Sequence, residues 1–370
     1  MRILYVIDNL EFGGGERVFL QLASGLRERH QISVAANTGG RLTNELKRLG
    51  IESFPIDMTR QISYKPIRQI RHIVRHKEID VVHSQGARAD FFARVAGKLS
   101  SIPHIICTVT MPVAGFDVGP IRKGIYRFAD CLSERYVDRF IVVSNYLRNT
   151  LIERRGLPPE SVIKIYNGIE VDRYHPDLKE ASLRNSWGIP PAAPLIGAIG
   201  RMVWQKGFKY LIEAAPETLE VIPEARFLLV GDGPLRPDLE NLARKLNVYD
   251  RIIFTGFRSD IPDLLSTMDV LVVPSLLEGF PMITLEAMAL ATPVVATQIH
   301  GITEQIMDGK EGVLIPPRNT DALASAVTQI ITDRELSSRL GMAARKRVES
   351  SFSVRKMVRE TEKVYLSLLK

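Results

Sequence analysis

Short runs of β-branched and other apolar residues alternate with longer amphipathic stretches along both halves of the chain. The short runs have the length of strands, and the amphipathic stretches carry apolar residues at helical spacing. This alternation is typical of parallel sheets covered by helices on both faces, so it predicts two doubly wound α/β domains. The predicted strands are Ile3–Ile7, Ile32–Ala36, Glu52–Ile56, Asp80–His83, His104–Val109, Phe140–Val143, Val162–Tyr166, Leu195–Ile199, Ala225–Val230, Ile252–Thr255, Val270–Val273, Val294–Ala296 and Gly312–Ile315.

The expected domain boundaries follow from where this alternation is interrupted. The segment between the two sets of strands contains His-Pro, Ile-Pro-Pro and Ala-Pro breaks, which are typical of a linker. We therefore expect a first Rossmann-like domain over residues 1–167, a linker over 168–193 and a second Rossmann-like domain over 194–350. Residues 351–370 have a helical pattern beyond the last strand, so this helix must dock elsewhere. Two sheets facing across a cleft would bind ligands at the carboxyl ends of their strands.

The composition, 45% hydrophobic and 25% charged residues, is that of a soluble globular protein. No apolar run approaches the roughly 20 residues that cross a bilayer. The apolar start of the chain is too short for a secretory signal peptide. Cys107 and Cys131 form neither a disulfide framework nor a metal-ligand spacing. These features favour a cytoplasmic protein.

The net charge of +7 belongs to the first half of the chain. Residues 1–175 carry 26 lysines and arginines against 18 acidic residues, whereas the remainder carries 23 against 24. The densest basic segments are Arg60–Lys77 and Arg122–Arg148, and the first has its basic residues opposite an apolar helical face. One interpretation is a solvated helix face; the other is a surface that approaches anionic lipid at the inner membrane face, or a polyanionic acceptor. Nucleic acid is not expected, because these segments are poor in interleaved aromatic residues.

The stretch Glu278–Glu286 places two carboxylates eight positions apart around the start of a predicted helix, directly after a buried strand. Pro281 suits the first helical position, because its fixed φ already matches the helix. The backbone amides of Met282 and Ile283 then form an anion site at the positive end of the helix dipole. Carboxylates beside an anion site are suited to hydroxyl groups, from which they accept strong hydrogen bonds. A nucleotide sugar has the required phosphate and hydroxyls.

Two cations follow the first strand of the second half, in the sequence G-R-M-V-W-Q-K-G. An arginine such as Arg201 can bind a phosphate through two parallel hydrogen bonds, and Lys206 supplies a compact charge. Together they can stabilise the charge that develops on a diphosphate leaving group. The chain has no D-x-D pair and no His/Cys cluster, so no metal is expected to bridge the nucleotide.

Three further strand-to-helix junctions carry weaker signals. The run Gly13–Glu16 follows the first strand, where glycines let the backbone approach an anion, although an ordinary turn has the same composition. Gly233 follows one later strand, and Phe257 and Arg258 follow the next, where a base and ribose would lie; plain turns are again the alternative. No G-x-G-x-x-G fingerprint is completed, so a dehydrogenase is the weakest hypothesis.

Together, the motifs resemble glycosyltransferase family 4 over essentially the whole chain. The motifs are G-G-G-E, G-R-x-x-x-x-K-G, V-G-D-G-P, the E-x7-E stretch with E-A-M-A, and G-x-x-E. The resemblance implies a GT-B fold and a retaining, metal-independent transfer of sugar from a nucleoside-diphosphate sugar to a hydroxyl acceptor. It also implies that the second domain mainly holds the donor, the first holds the acceptor, and the final helix crosses back onto the first domain. The nucleotide sugar is then a co-substrate, and no cofactor is expected.

The resemblance implies a role for each matching residue. Arg201 and Lys206 would hold the donor diphosphate, Glu286 the ribose hydroxyls and Glu278 the hydroxyls of the transferred sugar. Glu16 would lie near the acceptor. Further donor contacts would come from the backbone at Gly14, Gly15, Phe280, Met282 and Ile283.

One position departs from the family's pattern. After the fifth strand the family usually shows T-x-H, whose histidine lies beside the reacting sugar, whereas this chain reads Thr108-Val109-Thr110. Thr110 cannot carry a proton as an imidazole does, but its hydroxyl can hydrogen-bond a sugar hydroxyl on the acceptor side. His83, at the end of the fourth strand, is a second acceptor-side candidate, with a structural role as the alternative.

The sequence is therefore compatible with three hypotheses for the function. The favoured one is a retaining glycosyltransferase that uses front-face substitution and acts on a glycan or lipid-linked acceptor in envelope glycan, polysaccharide or glycolipid assembly. The second is a nucleotide-sugar epimerase of the same architecture. The third is a sugar-nucleotide-binding protein in which Thr110 has weakened catalysis.

Overall fold

The computed structural model describes residues 1–8, 13–37, 40–59, 63–111, 119–176 and 181–369. The chain divides into two compact units. Met1–Gly168 together with Val354–Lys370 forms the first unit, and Ile169–Ser353 forms the second. The last segment of the chain therefore belongs to the first unit, although it follows the second unit in sequence.

The first unit contains a seven-stranded parallel sheet. Its strands are β1 (Arg2–Ile7), β2 (Gln31–Ala36), β3 (Glu52–Pro55), β4 (Val81–Gln85), β5 (His104–Val109), β6 (Arg139–Val142) and β7 (Val162–Lys164). They lie in the order β3-β2-β1-β4-β5-β6-β7, with β1 pairing with both β2 and β4. The strand order reverses between β1 and β4, and open parallel sheets bind their ligands outside the carboxyl ends of strands at such a reversal.

The helices of the first unit cover this sheet. They are α1 (Gly14–Leu26), α2 (Arg41–Arg48), α3 (Tyr64–His76), α4 (Ala87–Leu99), α5 (Pro120–Ser133), α6 (Asn145–Asn149) and, from the end of the chain, α15 (Val354–Ser367). Helix α15 packs against α1. Its Glu362 carboxylate accepts hydrogen bonds from Arg29 at 2.8 Å and lies 3.0 Å from His30, so polar contacts fix the helix beside the segment that follows α1.

The second unit contains a six-stranded parallel sheet. Its strands are β8 (Leu195–Ile199), β9 (Arg226–Val230), β10 (Ile252–Gly256), β11 (Val270–Val273), β12 (Val294–Thr297) and β13 (Val313–Ile315). They lie in the order β10-β9-β8-β11-β12-β13, so here the reversal falls between β8 and β11. Both strands are almost completely buried, because their runs of apolar residues have helices on both sides.

Eight helices surround the second sheet in the described part of the unit. They are α7 (Ala181–Ser186), α8 (Phe208–Val221), α9 (Arg236–Lys245), α10 (Ile261–Thr267), α11 (Met282–Ala289), α12 (Ile302–Gln305), α13 (Thr320–Thr332) and α14 (Arg334–Ser351). Helices α8 and α13 pack together over one face of the sheet and contribute much of its apolar core. Across the described ranges of the whole chain, every helix falls short of the length and apolarity that a bilayer span requires.

The thirteen predicted strands are all present, and each ends within two residues of its predicted bounds. The predicted fold class, two doubly wound Rossmann-like domains, is confirmed. The segment predicted as a linker is partly helical: it contains a 3₁₀ turn at Val171–Arg173 and helix α7. The Pro-containing breaks that indicated a linker fall outside these two short elements: the 3₁₀ turn precedes His175-Pro176, and α7 lies between that break and Ile189-Pro190.

Candidate active site

A lysine and a glutamate meet at the strand-order reversal of the second unit. Lys206 ends the 3₁₀ turn Trp204–Lys206, which follows β8, and Glu278 lies in the loop after β11. The Lys206 Nζ donates a hydrogen bond to the Glu278 Oε1 at 2.7 Å. The Lys206 side chain keeps 26% of its surface exposed, whereas the Glu278 side chain keeps 5%. The pair therefore presents a partly accessible cation backed by a buried carboxylate.

Neighbouring polar groups hold the Glu278 carboxylate in place. The Ser275 hydroxyl donates to the same Oε1 at 2.8 Å. Ser275 is itself fixed, because the Thr297 hydroxyl at the end of β12 donates to its backbone oxygen at 2.5 Å. A buried carboxylate that accepts from both a lysine and a serine has one defined orientation, which is the condition for directional contacts with a ligand.

Close backbone packing positions the loops around this pair. Gly207, which directly follows Lys206, has φ of +64°, and a Cβ at this position would lie 2.0 Å from the Pro274 oxygen at the end of β11. Gly231, after β9, has φ of +128°, and its Cβ would lie 1.9 Å from the Gly200 oxygen. Only glycine fits either position, so the strand-end loops pack backbone against backbone.

The start of α11 lies directly after Glu278. The helix begins at Met282, and Pro281 is the N-cap residue with φ of −68° and ψ of 127°. The expectation that Pro281 occupies the first helical position is therefore wrong by one residue, because its extended ψ ends the preceding loop. Met282 and Ile283 are half-buried first-turn residues, whose amides have no acceptor within the helix itself. The Gln305 side chain fixes the loop that leads into α11, because its amide donates a hydrogen bond to the Pro281 backbone oxygen at 2.9 Å.

The side chain of Phe280 points into the interior. It is 5% exposed, and its ring packs against that of Phe352 with 5.4 Å between centroids. Any ligand contact at this residue must therefore come from its backbone, which is the contact predicted for Phe280. Glu286, on α11, is 2% exposed, and the Tyr174 hydroxyl donates to its Oε1 at 3.4 Å. Both acids of the E-x7-E stretch are thus buried and oriented by hydroxyl groups.

The remaining predicted donor residues lie on the loops after β8, β9 and β10. Arg201 is exposed on the loop after β8, and Gly233 lies on the adjoining loop after β9, where the Met202 amide donates to the Asp232 oxygen at 2.8 Å. Phe257 follows the edge strand β10 and is 67% exposed. Arg258 is paired with Asp260, with 2.5 Å between Nη2 and Oδ2. The structure thus places Phe257 at the surface, whereas the charge of Arg258 is already balanced.

In the first unit, the glycine run lies at the start of α1. Gly13 is the N-cap residue, and Gly14 and Gly15 form the first turn. The Glu16 carboxylate accepts a hydrogen bond from the Gly13 amide at 2.8 Å, so it closes the start of the helix. This capping contact accounts for an acid at position 16 on structural grounds.

A pocket opens in the first unit between α1, α15 and the carboxyl ends of β4 to β7. Its polar lining includes Gln85, Thr108, Thr110 and Asn167, and the backbone of Gly15. Thr110, the residue at the family's histidine position, therefore faces this pocket. His83 is 1% exposed and lies behind it, since its Nε2 is 2.7 Å from the Thr108 Oγ1.

No cluster of three or more metal-ligating side chains occurs within the described residues. Lys206 and Arg201 lie on the loop after β8, and the start of α11, on the segment after β11, adds partial positive charge. Two adjacent cations can balance a diphosphate, and the buried acids beside them can hold hydroxyl groups.

The comparisons with known proteins agree with this arrangement. Residues 12–173 match the family model "Glycosyltransferase Family 4", and residues 179–347 match "Glycosyl transferases group 1". An uncharacterized glycosyltransferase of Methanocaldococcus jannaschii is 31% identical over 88% of this chain and 87% of its own length. A UDP-Gal:alpha-D-GlcNAc-diphosphoundecaprenol alpha-1,3-galactosyltransferase of Escherichia coli is 26% identical over 96% of this chain and 94% of its own.

Solved structures show the same fold. The crystal structure of HepE from Anabaena in complex with UDP-glucose superposes with a TM-score of 0.87 at 22% identity, covering 99% of this chain and all of that one. The fold and the two family models define a glycosyltransferase of the GT-B class. Within that class, the chain belongs to glycosyltransferase family 4.

Several residues of the site were not predicted from the sequence. Ser275, Tyr174 and Thr108 each bind a predicted residue through a hydroxyl group. Ser275 could have been predicted as a site residue, because it is the first polar residue after a buried strand, immediately beyond Pro274. Tyr174 could not, since its partner is 112 positions away. Thr108 is the threonine of the T-x-H position, but that motif gave no sign of its contact with His83, 25 positions away.

Proposed function

We propose that this chain is a retaining, metal-independent glycosyltransferase that moves a sugar from a nucleoside-diphosphate sugar to a hydroxyl acceptor. The observation that carries the proposal is the contact of Lys206 with Glu278 at the reversal of strand order. A lysine attracts a phosphate, and a neighbouring carboxylate accepts hydrogen bonds from sugar hydroxyls. The binding of UDP-glucose by the Anabaena protein of the same fold supports a donor of this class.

The proposed roles follow from position and chemistry. Lys206 and Arg201 bind the diphosphate, and the amides at the start of α11 add partial positive charge. Glu278 accepts from hydroxyls of the transferred sugar, and Glu286 accepts from those of the ribose. Phe257 offers a flat apolar surface to the base from the edge of the sheet.

The proposed reaction is a front-face substitution. The acceptor oxygen bonds to the anomeric carbon on the face from which the diphosphate departs, and the acceptor's proton passes to the departing phosphate oxygen. Arg201 and Lys206 offset the charge that the leaving diphosphate gains as its bond to carbon breaks. Because entry and departure use one face, the configuration at the anomeric carbon is retained.

A thermal-shift panel followed by a transfer assay tests this function. We expect a nucleoside diphosphate and its sugar to raise the melting temperature, because a ligand that prefers the folded state stabilises it. With the identified donor and a panel of glycan and lipid-linked acceptors, diphosphate release should require the acceptor and persist in EDTA. Proton NMR of the product should show the donor's anomeric configuration. Inversion of the anomeric configuration would contradict a retaining mechanism, and loss of turnover in EDTA would contradict metal independence.

The same assay separates the two other hypotheses. An epimerase changes the sugar in a mixture that contains the donor alone, whereas a binding protein takes up the donor and releases no diphosphate. The E. coli relative is a transferase by name, which does not favour an epimerase. A gain of turnover in Thr110→His would indicate that the threonine has weakened catalysis.

We propose a glycan or lipid-linked acceptor, used in glycan or glycolipid assembly. The name of the E. coli relative describes a sugar on a lipid diphosphate as its acceptor. An acceptor of that kind is presented at a membrane surface. The enzyme would then need a face that approaches anionic headgroups at the inner side of the membrane.

Two helices of the first unit provide such a face. Helix α3 buries its apolar residues and exposes Lys65, Arg68 and Arg75. Helix α5 exposes Ile125, Phe128 and Leu132 at helical spacing, with Phe128 67% exposed. Both helices pack on α4. Arg60, the start of the predicted basic segment, and the side chain of Arg122 lie outside the described part of the chain.

We expect binding to vesicles that contain phosphatidylglycerol to have a salt-sensitive and a salt-insensitive part. Replacing Lys65, Arg68 and Arg75 by glutamine should weaken binding at low salt at least about tenfold, because each basic residue near an anionic surface contributes roughly 1 kcal/mol. Phe128→Ala should weaken the binding that persists at high salt. Co-sedimentation measures both. The matched control replaces the exposed Lys209, Lys245 and Lys346 of the second unit by glutamine. An equal loss of vesicle binding in that control would contradict a specific membrane-binding surface on the first unit.

A further inference from the structure

A chain of four hydrogen-bonded side chains crosses the interior of the first unit. The Tyr5 and Tyr365 hydroxyl oxygens are 2.5 Å apart, and the Tyr365 oxygen is 2.6 Å from the His83 Nδ1. The His83 Nε2 lies 2.7 Å from the Thr108 Oγ1. The two tyrosines and the histidine are at most 2% exposed, whereas Thr108 is half-buried. The chain therefore begins in the core and ends at the pocket lined by Thr108 and Thr110.

The direction of each hydrogen bond follows from the Tyr5 hydroxyl, which is the buried end of this series. Among the described residues, Tyr365 is the only hydrogen-bond partner of the Tyr5 hydroxyl. Burying a hydroxyl hydrogen without an acceptor is costly, so Tyr5 must donate to Tyr365. Tyr365 has one hydrogen, which it then donates to the His83 Nδ1. The His83 hydrogen consequently lies on Nε2 and is donated to the Thr108 Oγ1.

The four hydrogen-bonded side chains carry no charge. Burial lowers the pKa of His83 to about 3, so the imidazole is neutral near physiological pH. Burial also raises the pKa of both Tyr5 and Tyr365 above its ordinary value. Because all these groups are neutral, a single tautomer of His83 satisfies every contact. The Thr108 oxygen accepts a hydrogen bond from His83, so the Thr108 hydroxyl must donate its own hydrogen to another group.

The described lining of the pocket beside Thr108 is also uncharged. No ionisable side chain is among its lining residues in the part of the chain that the structure describes. Its polar groups are the hydroxyls and amides named above with Thr361, and the rest of the lining is apolar. Apolar walls with a few neutral hydrogen-bonding groups suit the edge of a sugar, which combines C–H groups with hydroxyls.

We propose that Thr108 is a specificity-determining hydrogen-bond donor, fixed in direction by Tyr5, Tyr365 and His83, and that its pocket takes an uncharged, hydroxyl-bearing edge of an acceptor sugar. This assignment rests on the proposed function, which gives the first unit the acceptor. Thr108 contacts the ligand, and His83 and Tyr365 are positioning residues. Because the Thr108 oxygen accepts from His83 and Thr108 lines the pocket, its own hydrogen is available to a ligand there, which must offer an oxygen lone pair. A protonated amine held in the pocket would lack an anionic partner among the described lining residues, so it binds more weakly than an uncharged group.

Nitrogen-15 NMR of the histidine-labelled protein tests the direction of the chain without any substrate. The protein has 7 histidines, and His83 is assigned by the signal that His83→Gln removes. We expect the neutral Nε2–H tautomer of His83 throughout about pH 5.5 to 8.5, well above its lowered pKa. Tyr365→Phe should convert it to a mixture of tautomers, which a purely space-filling role of Tyr365 would not do. An Nδ1–H tautomer, or a protonated ring, would overturn the proposal.

Sugar binding tests the pocket. Methyl α-glucoside and methyl α-galactoside serve as uncharged probes, and glucosamine at pH 6 serves as the cationic probe, all followed by saturation-transfer NMR. We expect at least one uncharged probe to bind and glucosamine to bind more weakly. Thr108→Val should weaken uncharged-probe binding about fivefold, the usual scale for one neutral hydrogen bond, whereas Thr108→Ser keeps it. Unchanged binding in Thr108→Val, or equal binding of glucosamine, would overturn the assignment.

A failure of the donor function gives a different result. If nucleoside diphosphates did not raise the melting temperature of the wild-type protein, the proposed transfer would fail whatever the tautomer of His83. If they did raise it, and equally in Thr108→Val, the donor site is intact and any loss of probe binding belongs to Thr108. The melting temperature of Thr108→Val also shows whether the variant is folded.

Discussion

Lys206→Ala should lower sugar transfer at least about a hundredfold at saturating acceptor, the usual scale for losing one preorganised group that stabilises developing charge. Two effects act together. The leaving diphosphate loses the Lys206 ammonium, and the buried Glu278 carboxylate loses the cation that now lies 2.7 Å away. An unpaired buried carboxylate beside the phosphate site repels the donor as well. Release of nucleoside diphosphate, measured over a range of donor concentrations, gives both kcat and KM.

Lys209→Ala is the matched control for this experiment. Lys209 lies three positions further along, is 60% exposed and pairs with Glu213 on α8 at 3.4 Å, so its loss should leave transfer unchanged. The double variant Lys206→Ala with Glu278→Gln removes the unpaired charge. It should recover the thermal stability that the single variant loses, while transfer stays low. Near-normal turnover of Lys206→Ala would defeat the proposed role of the lysine.

Gly207→Ala should destabilise the second unit by at least about 2 kcal/mol more than Gly188→Ala, because overpacking against backbone adds to the cost of a left-handed residue. The two glycines have nearly equal φ angles, +64° and +63°. A Cβ at position 207 would meet the Pro274 oxygen at 2.0 Å, whereas a Cβ at position 188 has nothing within 4 Å. Comparing the two variants therefore isolates the steric contact.

Calorimetry measures this difference. For a unit of this size, we expect the melting temperature of Gly207→Ala to lie about 4–8 °C below that of Gly188→Ala. Donor affinity should fall as well, because Gly207 follows Lys206 directly and sets the path of its loop. Equal melting temperatures in the two variants would mean that the loops after β8 and β11 separate at little cost.

The parts of the site that follow from local pattern could be predicted from the sequence. Buried β-branched runs predicted the strands, and parallel strands end at one edge of a sheet, so residues just beyond them were expected to be near one another. Lys206 and Glu278 were selected on this basis. Their hydrogen bond was not predictable, because it joins residues 72 positions apart and depends on β8 lying beside β11.

Contacts between distant segments account for what was missed. Tyr365 meets Tyr5 across 360 positions and His83 across 282, and no local spacing indicates either contact. His83 was considered as an acceptor-side residue because of its place after a strand, yet the structure surrounds it with other side chains. Pro281 shows the limit for element ends: its φ suits a first-turn residue, but its ψ depends on the loop that it closes.

The return of α15 to the first unit has a consequence for biosynthesis. Residues 354–369 supply Met357, Thr361 and Tyr365 to the interior of a unit whose other residues leave the ribosome some 185 positions earlier. Nascent domains generally fold in the order of their synthesis. Here the earlier-made unit must wait, with its α1 face uncovered, until translation of the whole second unit is finished. The later-made unit is thus the first that can reach its complete native structure.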